Sequence, residues 1–152
     1  MLNMKNEAER ILNEYNLSDI SVIPVDLGDE PAFSYISSNG NAYIGINDNI
    51  DNVAELKSAL LHEAGHIREK AYYNVLSNKN DKRHAEYLAI RWAIRTCIPF
   101  SEYVKAIQDG VRTVYELAER FNITVASAMK VTDYYESQLI HYLQLRKDVV
   151  YE

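Results

Sequence analysis

Residues 53–67, VAELKSALLHEAGHI, form the stretch of the chain that decides the fold. Its apolar residues recur every three or four positions, which is the spacing of one buried face of an α-helix. They are Val53, Leu56, Leu60, Ala64 and Ile67. Asp51 or Asn52 stands just before the stretch, and either side chain can cap the first turn of a helix. The pattern therefore predicts a helix with one face against a hydrophobic core.

The same helix carries an H-E-x-x-H pattern, His62-Glu63-Ala64-Gly65-His66. Residues four apart on a helix share a face and lie about 6 Å apart along its axis, so two imidazoles at this spacing can share one Zn²⁺. The chain has 4 histidines, and this turn takes two of them. Glu63 would lie beside the metal, where it can act as a general base toward the attacking water. We interpret the pattern as a zinc site rather than a chance pair of surface histidines.

Gly65, between the two histidines, costs about 1 kcal/mol relative to alanine in a helix interior. A glycine is expected here if another stretch of backbone packs closely against the helix. The predicted partner is the edge of a sheet near Tyr43.

A catalytic zinc needs a third protein ligand and an open position for water. The next predicted helix, from Asp81 to Cys97, offers Glu86 and His84. Glu86 is the favoured ligand, because the small residues Ala89 and Ala93 lie on following turns and would let the two helices approach closely. His84 is the alternative, but it falls in the first turn of the helix, where fraying makes a poor anchor.

The ordered motifs of the chain resemble those of the ImmA/IrrE family of metallopeptidases, which shows H-E-x-G-H, then E-x-x-A with an aromatic-Ala pair, then a proline. The matching segments are His62-Glu63-Ala64-Gly65-His66, Glu86-Tyr87-Leu88-Ala89, Trp92-Ala93 and Ile98-Pro99. The resemblance implies a Zn²⁺ held by His62, His66 and Glu86, with Glu63 as the general base. It also implies a zinc endopeptidase of the phage or mobile-element type that cleaves a helix-turn-helix repressor.

One position departs from the family. The residue after the alanine of E-x-x-A is usually Asn or Asp, and here it is Ile90. A polar side chain there could orient a ligand histidine. Its loss keeps a second function open, namely a non-catalytic, zinc-stabilised module that sequesters a repressor or antitoxin partner. For a catalytic site, Tyr72, Tyr73 and His84 are candidate transition-state stabilisers.

The expected fold class is α+β and mostly α-helical. A zincin-like metal-binding helix packs on a small antiparallel sheet of strands at 21–25, 33–37 and 41–46, and a helix-turn-helix-like lobe follows. Residues 1–100 are expected to form the metallopeptidase core, and 101–152 the C-terminal lobe. Direct DNA binding by that lobe is disfavoured, because residues 113–135 carry a net charge of −1.

The 152-residue chain is 47% hydrophobic and 25% charged, with a net charge of −6. This composition is typical of a globular domain and excludes a disordered chain or a disulfide-stapled miniprotein. The single cysteine, Cys97, and the polar first 20 residues predict a cytoplasmic protein without a membrane partner. The charge is −7 over residues 1–52, +3 over 53–100 and −2 over 101–152.

Overall fold

The structure is a computed structural model that describes the backbone of residues 3–150 and the side chains of residues 3–146. The elements, in chain order, are α1 (Met4–Glu14), β1 (Ile20–Val25), β2 (Ala32–Ile36), β3 (Ala42–Asn47), α2 (Val53–Arg68), α3 (Lys79–Cys97), α4 (Phe100–Gln108), α5 (Val114–Phe121) and α6 (Val125–Val150). The α+β, mostly helical class is confirmed. The chain divides into two compact units, Met1–Cys97 and Ile98–Glu152, whereas the sequence places the boundary at residue 100.

The three strands form one mixed sheet with the order β1-β3-β2. β2 pairs with β3 in the expected antiparallel direction, but β1 pairs with β3 in parallel, so the prediction of a wholly antiparallel sheet is wrong. The reason lies in the connection at residues 26–31. It leads from β1 to a place two strand positions away, where β2 forms, and leaves the position beside β1 empty. β3 returns into the gap, and β2 is left at the edge of the sheet.

The alternation of side chains in the sheet separates a buried face from an open one. Ala32, Ile44 and Ile46 are buried on the face that packs with the helices of this unit. The neighbouring positions point to the opposite face, where the ring of Phe33 lies over Gly45 so closely that a Cβ there would be 2.2 Å from a ring carbon. Gly45 thus admits an aromatic ring across the strand pair.

The helix α2 begins where the sequence predicts, with Asn52 as its cap. The Asn52 side chain accepts a hydrogen bond from the backbone N–H of Glu55 at 2.8 Å. Leu56 and Leu60 are fully buried against the core. α3 begins two residues earlier than the expected Asp81, because the side chain of Asn78 accepts from the N–H of Asp81 at 2.8 Å and caps the helix.

The second unit consists of helices α4, α5 and α6. Thr113 caps α5, because its side chain accepts a hydrogen bond from the backbone N–H of Glu116 at 3.2 Å. A tight turn follows at Asn122, whose φ of 52° is left-handed, and α6 starts at Val125. The Tyr135 hydroxyl donates to the carbonyl of Ile98 at 2.7 Å within this unit.

Within residues 3–150, no helix combines the length and the apolar composition that crossing a membrane requires.

Candidate metal centre

Three side chains predicted as ligands converge in the first unit. The Nε2 atoms of His62 and His66 lie 3.3 Å apart. The Glu86 carboxylate reaches both rings, with Oε2 at 3.0 Å from His62 Nε2 and Oε1 at 3.2 Å from His66 Nε2. This is a group of side chains that could hold a metal ion.

The separations fit a tetrahedral metal. With ligand bonds of about 2.0–2.1 Å, two ligand atoms on a tetrahedral zinc stand roughly 3.3 Å apart. The observed distances of 3.0, 3.2 and 3.3 Å are close to that edge length. Two imidazoles and one carboxylate are also a donor set that catalytic zinc sites use. The residues present therefore fit a metal ion with one position left for another ligand.

The close approach of α2 and α3 depends on Gly65. A Cβ built at Gly65 would lie 2.5 Å from the carbonyl oxygen of Ala89 and 3.0 Å from its Cα. The expected close contact with a backbone is therefore present, but the partner is α3, and the prediction of the sheet edge near Tyr43 is wrong. The reason is that Gly65 faces α3, where the small residue Ala89 leaves the backbone accessible. This contact brings the turn of Glu86 next to the two histidines.

The end of α2 fixes the orientation of His66. The His66 ring donates from Nδ1 to the carbonyl oxygen of Ala71 at 2.6 Å, so Nε2 is the ring nitrogen directed at the site. The backbone N–H of Ala71 returns a bond to the carbonyl of His66 at 2.9 Å, and that of Lys70 bonds Ile67 at 3.3 Å. With φ of 51° at Lys70, these bonds form a Schellman cap.

Glu86 has its own hydrogen-bond donor. The Tyr73 hydroxyl donates to Glu86 Oε1 at 2.8 Å, and the Tyr73 ring meets the His66 ring edge-on with centroids 6.0 Å apart. The bond to Glu86, helped by partial burial, raises the pKa of Tyr73 to about 12. The hydroxyl therefore keeps its proton and remains a donor at neutral pH.

Glu63 lies beside the ligands. Its burial raises the pKa of the carboxyl, and the charges of Glu86 and Glu30 act in the same direction. A hydrogen bond from the Ser34 hydroxyl and the nearby His66 ring oppose this shift. Ser34 belongs to the edge strand β2, so the strand holds the Glu63 carboxylate in place.

The ligands and Glu63 open onto one cleft of about 660 Å³. One side is the edge strand β2 with the loop before it, and the other is the end of α2 with its following turn. The lining residues are Leu27, Glu30, Pro31, Ala32, Phe33, Ser34, His62, Glu63, His66, Ala71, Tyr72, Tyr73 and Glu86. Asn47 is 3% exposed and ties the loop down, because its Nδ2 donates to the carbonyls of Gly28 and Glu30, both at 2.8 Å.

The three residues predicted as candidate transition-state stabilisers do not all lie at the site. Tyr72 and Tyr73 line the cleft, whereas His84 is exposed and does not line it. Two helix positions correspond to a rotation of about 200°, so His84 points away when Glu86 points inward. This excludes His84 both as the alternative third ligand and as a stabiliser within this cleft.

The sequence reasoning missed three contributors, namely Ser34, Asn47 and the carbonyl of Ala71. A serine in a strand and a backbone oxygen carry no motif that could have identified them. The carbonyl of Ala71 orients His66, a role that a polar residue in place of Ile90 could have had for a ligand histidine.

No family model matches the chain, and no curated protein matches it. A solved structure described as a Mycobacterium tuberculosis transcriptional regulator shares the fold with a TM-score of 0.55 and 14% sequence identity. The match covers 84% of this chain and 45% of that one, so the chain spans less than half the length of that protein.

Proposed function

We propose that this chain is a zinc-dependent endopeptidase. The observation that supports it best is the convergence of His62, His66 and Glu86 in a cleft that also holds the carboxyl of Glu63. A bound Zn²⁺ would supply a Lewis acid that polarises the scissile carbonyl and acidifies the attacking water. The protein groups then have to hold the peptide, accept a proton and return it.

Glu63 is proposed as the group that moves the proton. It takes a proton from the attacking water and donates it to the leaving amine. Its partial burial favours a carboxyl that is more basic than one in water, which suits both steps. The hydrogen bond from Ser34 helps to orient the carboxylate.

Tyr72 is the remaining candidate for stabilising the oxyanion that forms during attack on a carbonyl. Its hydroxyl makes a long bond of 3.4 Å to the carbonyl of Ile67 and can turn toward a substrate. The Tyr73 hydroxyl is engaged with Glu86 at 2.8 Å and is less free to do so.

The proposed substrate is a helix-turn-helix transcriptional repressor of a phage or mobile element, and the proposed location is the cytoplasm. Both follow from the resemblance of the motifs to the ImmA/IrrE family. The edge position of β2 supports a protein substrate, because a strand edge has free backbone groups that can pair with an extended peptide.

The test uses purified helix-turn-helix repressors, beginning with any that a gene neighbouring that of this protein encodes. The zinc-loaded wild type and Glu63→Gln are incubated with the purified repressor, and the products are identified by mass spectrometry. We expect defined fragments with the wild type and intact repressor with Glu63→Gln, although both proteins bind one zinc. Cleavage by Glu63→Gln at the wild-type rate would disprove the role of Glu63.

A second candidate is a zinc-stabilised module that sequesters a repressor or antitoxin without cutting it. The unusual Ile90, where a polar residue is expected, is the observation in its favour. In the same experiment this function predicts a stable complex with the intact partner for the wild type and Glu63→Gln alike. That result would replace the peptidase proposal.

A further inference from the structure

The turn that ends α2, residues 69–73, contacts two of the three candidate ligands. We call it the ligand turn. Its Ala71 carbonyl accepts a hydrogen bond from the His66 ring, and its Tyr73 hydroxyl donates one to Glu86. The backbone of the turn is itself held by the Schellman bonds to His66 and Ile67. The same turn therefore caps α2 and supplies hydrogen-bond partners to two candidate ligands.

We propose that Tyr73 is a positioning residue for the Glu86 carboxylate, and that the ligand turn sets the metal affinity of the centre through it. This inference rests on the proposed zinc centre but does not depend on peptidase activity. It assigns to Tyr73 a role in holding a ligand, in place of the role in transition-state stabilisation expected from the sequence.

The geometry explains why the hydroxyl matters. Tyr73 bonds Oε1 of Glu86, the oxygen that faces His66, while Oε2 faces His62. A donor on one oxygen fixes the rotation of the carboxylate and so the direction in which the other oxygen points. A free glutamate side chain loses rotamer entropy when a metal orders it. The bond to Tyr73 orders the side chain before a metal arrives.

The other contacts of Tyr73 do not suggest a role in the stability of the fold. Its side chain is 45% exposed, so Tyr73 is not part of the buried core. Tyr72 offers a matched control, because it is the adjacent residue, lines the same cleft and is 49% exposed, but its hydroxyl bonds a backbone carbonyl instead of a ligand.

The experiment compares zinc affinity in Tyr73→Phe, Tyr72→Phe and the wild type by competition with a chromophoric chelator. Loss of an outer hydrogen bond to a metal ligand typically weakens binding by about 10–100-fold, and we expect this range for Tyr73→Phe. Tyr72→Phe is expected to bind zinc as the wild type does. Co²⁺ substitution gives a second readout, since the d–d absorption bands should shift in Tyr73→Phe alone. Circular dichroism of the metal-free proteins checks that all three are folded.

A background without the carboxylate isolates the interaction. In Glu86→Ala, the further change Tyr73→Phe is expected to leave the residual zinc affinity unchanged, because the hydroxyl has no ligand to position. An equal loss of affinity in both backgrounds would overturn the proposal, as would wild-type affinity in Tyr73→Phe. Absence of zinc binding by the wild type would overturn it together with the metal centre. If zinc binds and the affinities follow this pattern but no substrate is cut, the peptidase proposal fails and this one stands.

Discussion

Gly65, which lies between His62 and His66, brings the backbone of α2 into contact with Ala89 of α3 beside the candidate metal centre. A Cβ at Gly65 would lie 2.5 Å from the Ala89 carbonyl oxygen, a distance that real Cβ contacts do not show. The atom it would meet belongs to the main chain and cannot rotate away. The separation of the two helices, and with it the position of Glu86 opposite His66, therefore depends on the missing methyl group.

Gly65→Ala is expected to destabilise the protein by about 1–3 kcal/mol, because the helices must separate to admit the methyl group. The higher helix propensity of alanine acts in the opposite direction and by itself would stabilise the helix by about 1 kcal/mol. Urea unfolding of the metal-free protein measures the sign directly. We also expect weaker zinc binding, since Glu86 moves with α3. An increase in stability would show that the two helices do not pack as described.

Zinc is expected to stabilise the folded protein through His62, His66 and Glu86. A ligand that binds the native state alone at 100 times its dissociation constant adds about 2.7 kcal/mol, so the melting temperature should rise with zinc and fall after chelation. Glu86→Ala should lose most of this rise. His84→Ala, on the same helix but exposed, is the control and should retain it. Equal responses of the two variants would remove Glu86 from the ligand set.

Asn47→Ala is expected to lower the free energy of unfolding by about 1–3 kcal/mol, because it removes a buried side-chain amide that donates to the carbonyls of Gly28 and Glu30. The loop that borders the cleft should also loosen, which faster amide exchange over residues 28–31 would reveal. Asn49→Ala, at an exposed position of the same segment, is the control. A similar cost in both variants would mean that the two hydrogen bonds contribute little.

The ion pair between Asp19 and Arg68 predicts a dependence of stability on pH. Arg68 donates two hydrogen bonds to Asp19, at 2.6 and 3.0 Å, and this lowers the pKa of the carboxyl below its ordinary value. The stabilisation is thus present above the unfolded-state pKa and disappears as pH falls through the lowered pKa. Because the pair is exposed, Asp19→Asn should cost only about 0.5 kcal/mol at pH 7.

Urea unfolding from pH 7 to pH 2 checks this expectation. The difference between the wild type and Asp19→Asn should shrink to zero at the acidic end, whereas the exposed Asp48→Asn should show little difference throughout. A gap that persists at pH 2 would contradict an electrostatic origin.

The convergence of His62, His66 and Glu86 was predictable because their positions follow from helical spacing within α2 and a short return to α3. The ends of the strands were predicted to within one residue, but the parallel pairing of β1 with β3 was not predicted. That pairing depends on whether β2 or β3 lies next to β1. The local sequence of a strand does not indicate which neighbour it will have. The packing partner of Gly65 was predicted wrongly for a related reason. A glycine in a helix indicates that another backbone packs closely, but not which one.

The hydrogen bonds around the ligands differ in how a mutation can remove them. His66 donates to the main-chain oxygen of Ala71, an acceptor that persists whichever amino acid occupies position 71. Glu86 depends on a side-chain hydroxyl that the change of Tyr73 to phenylalanine deletes. A single mutation can therefore remove the hydrogen bond to Glu86 more easily than the hydrogen bond from His66. Sequence drift would be expected to disturb the position of the Glu86 carboxylate before that of the His66 ring, while the H-E-x-x-H pattern is retained.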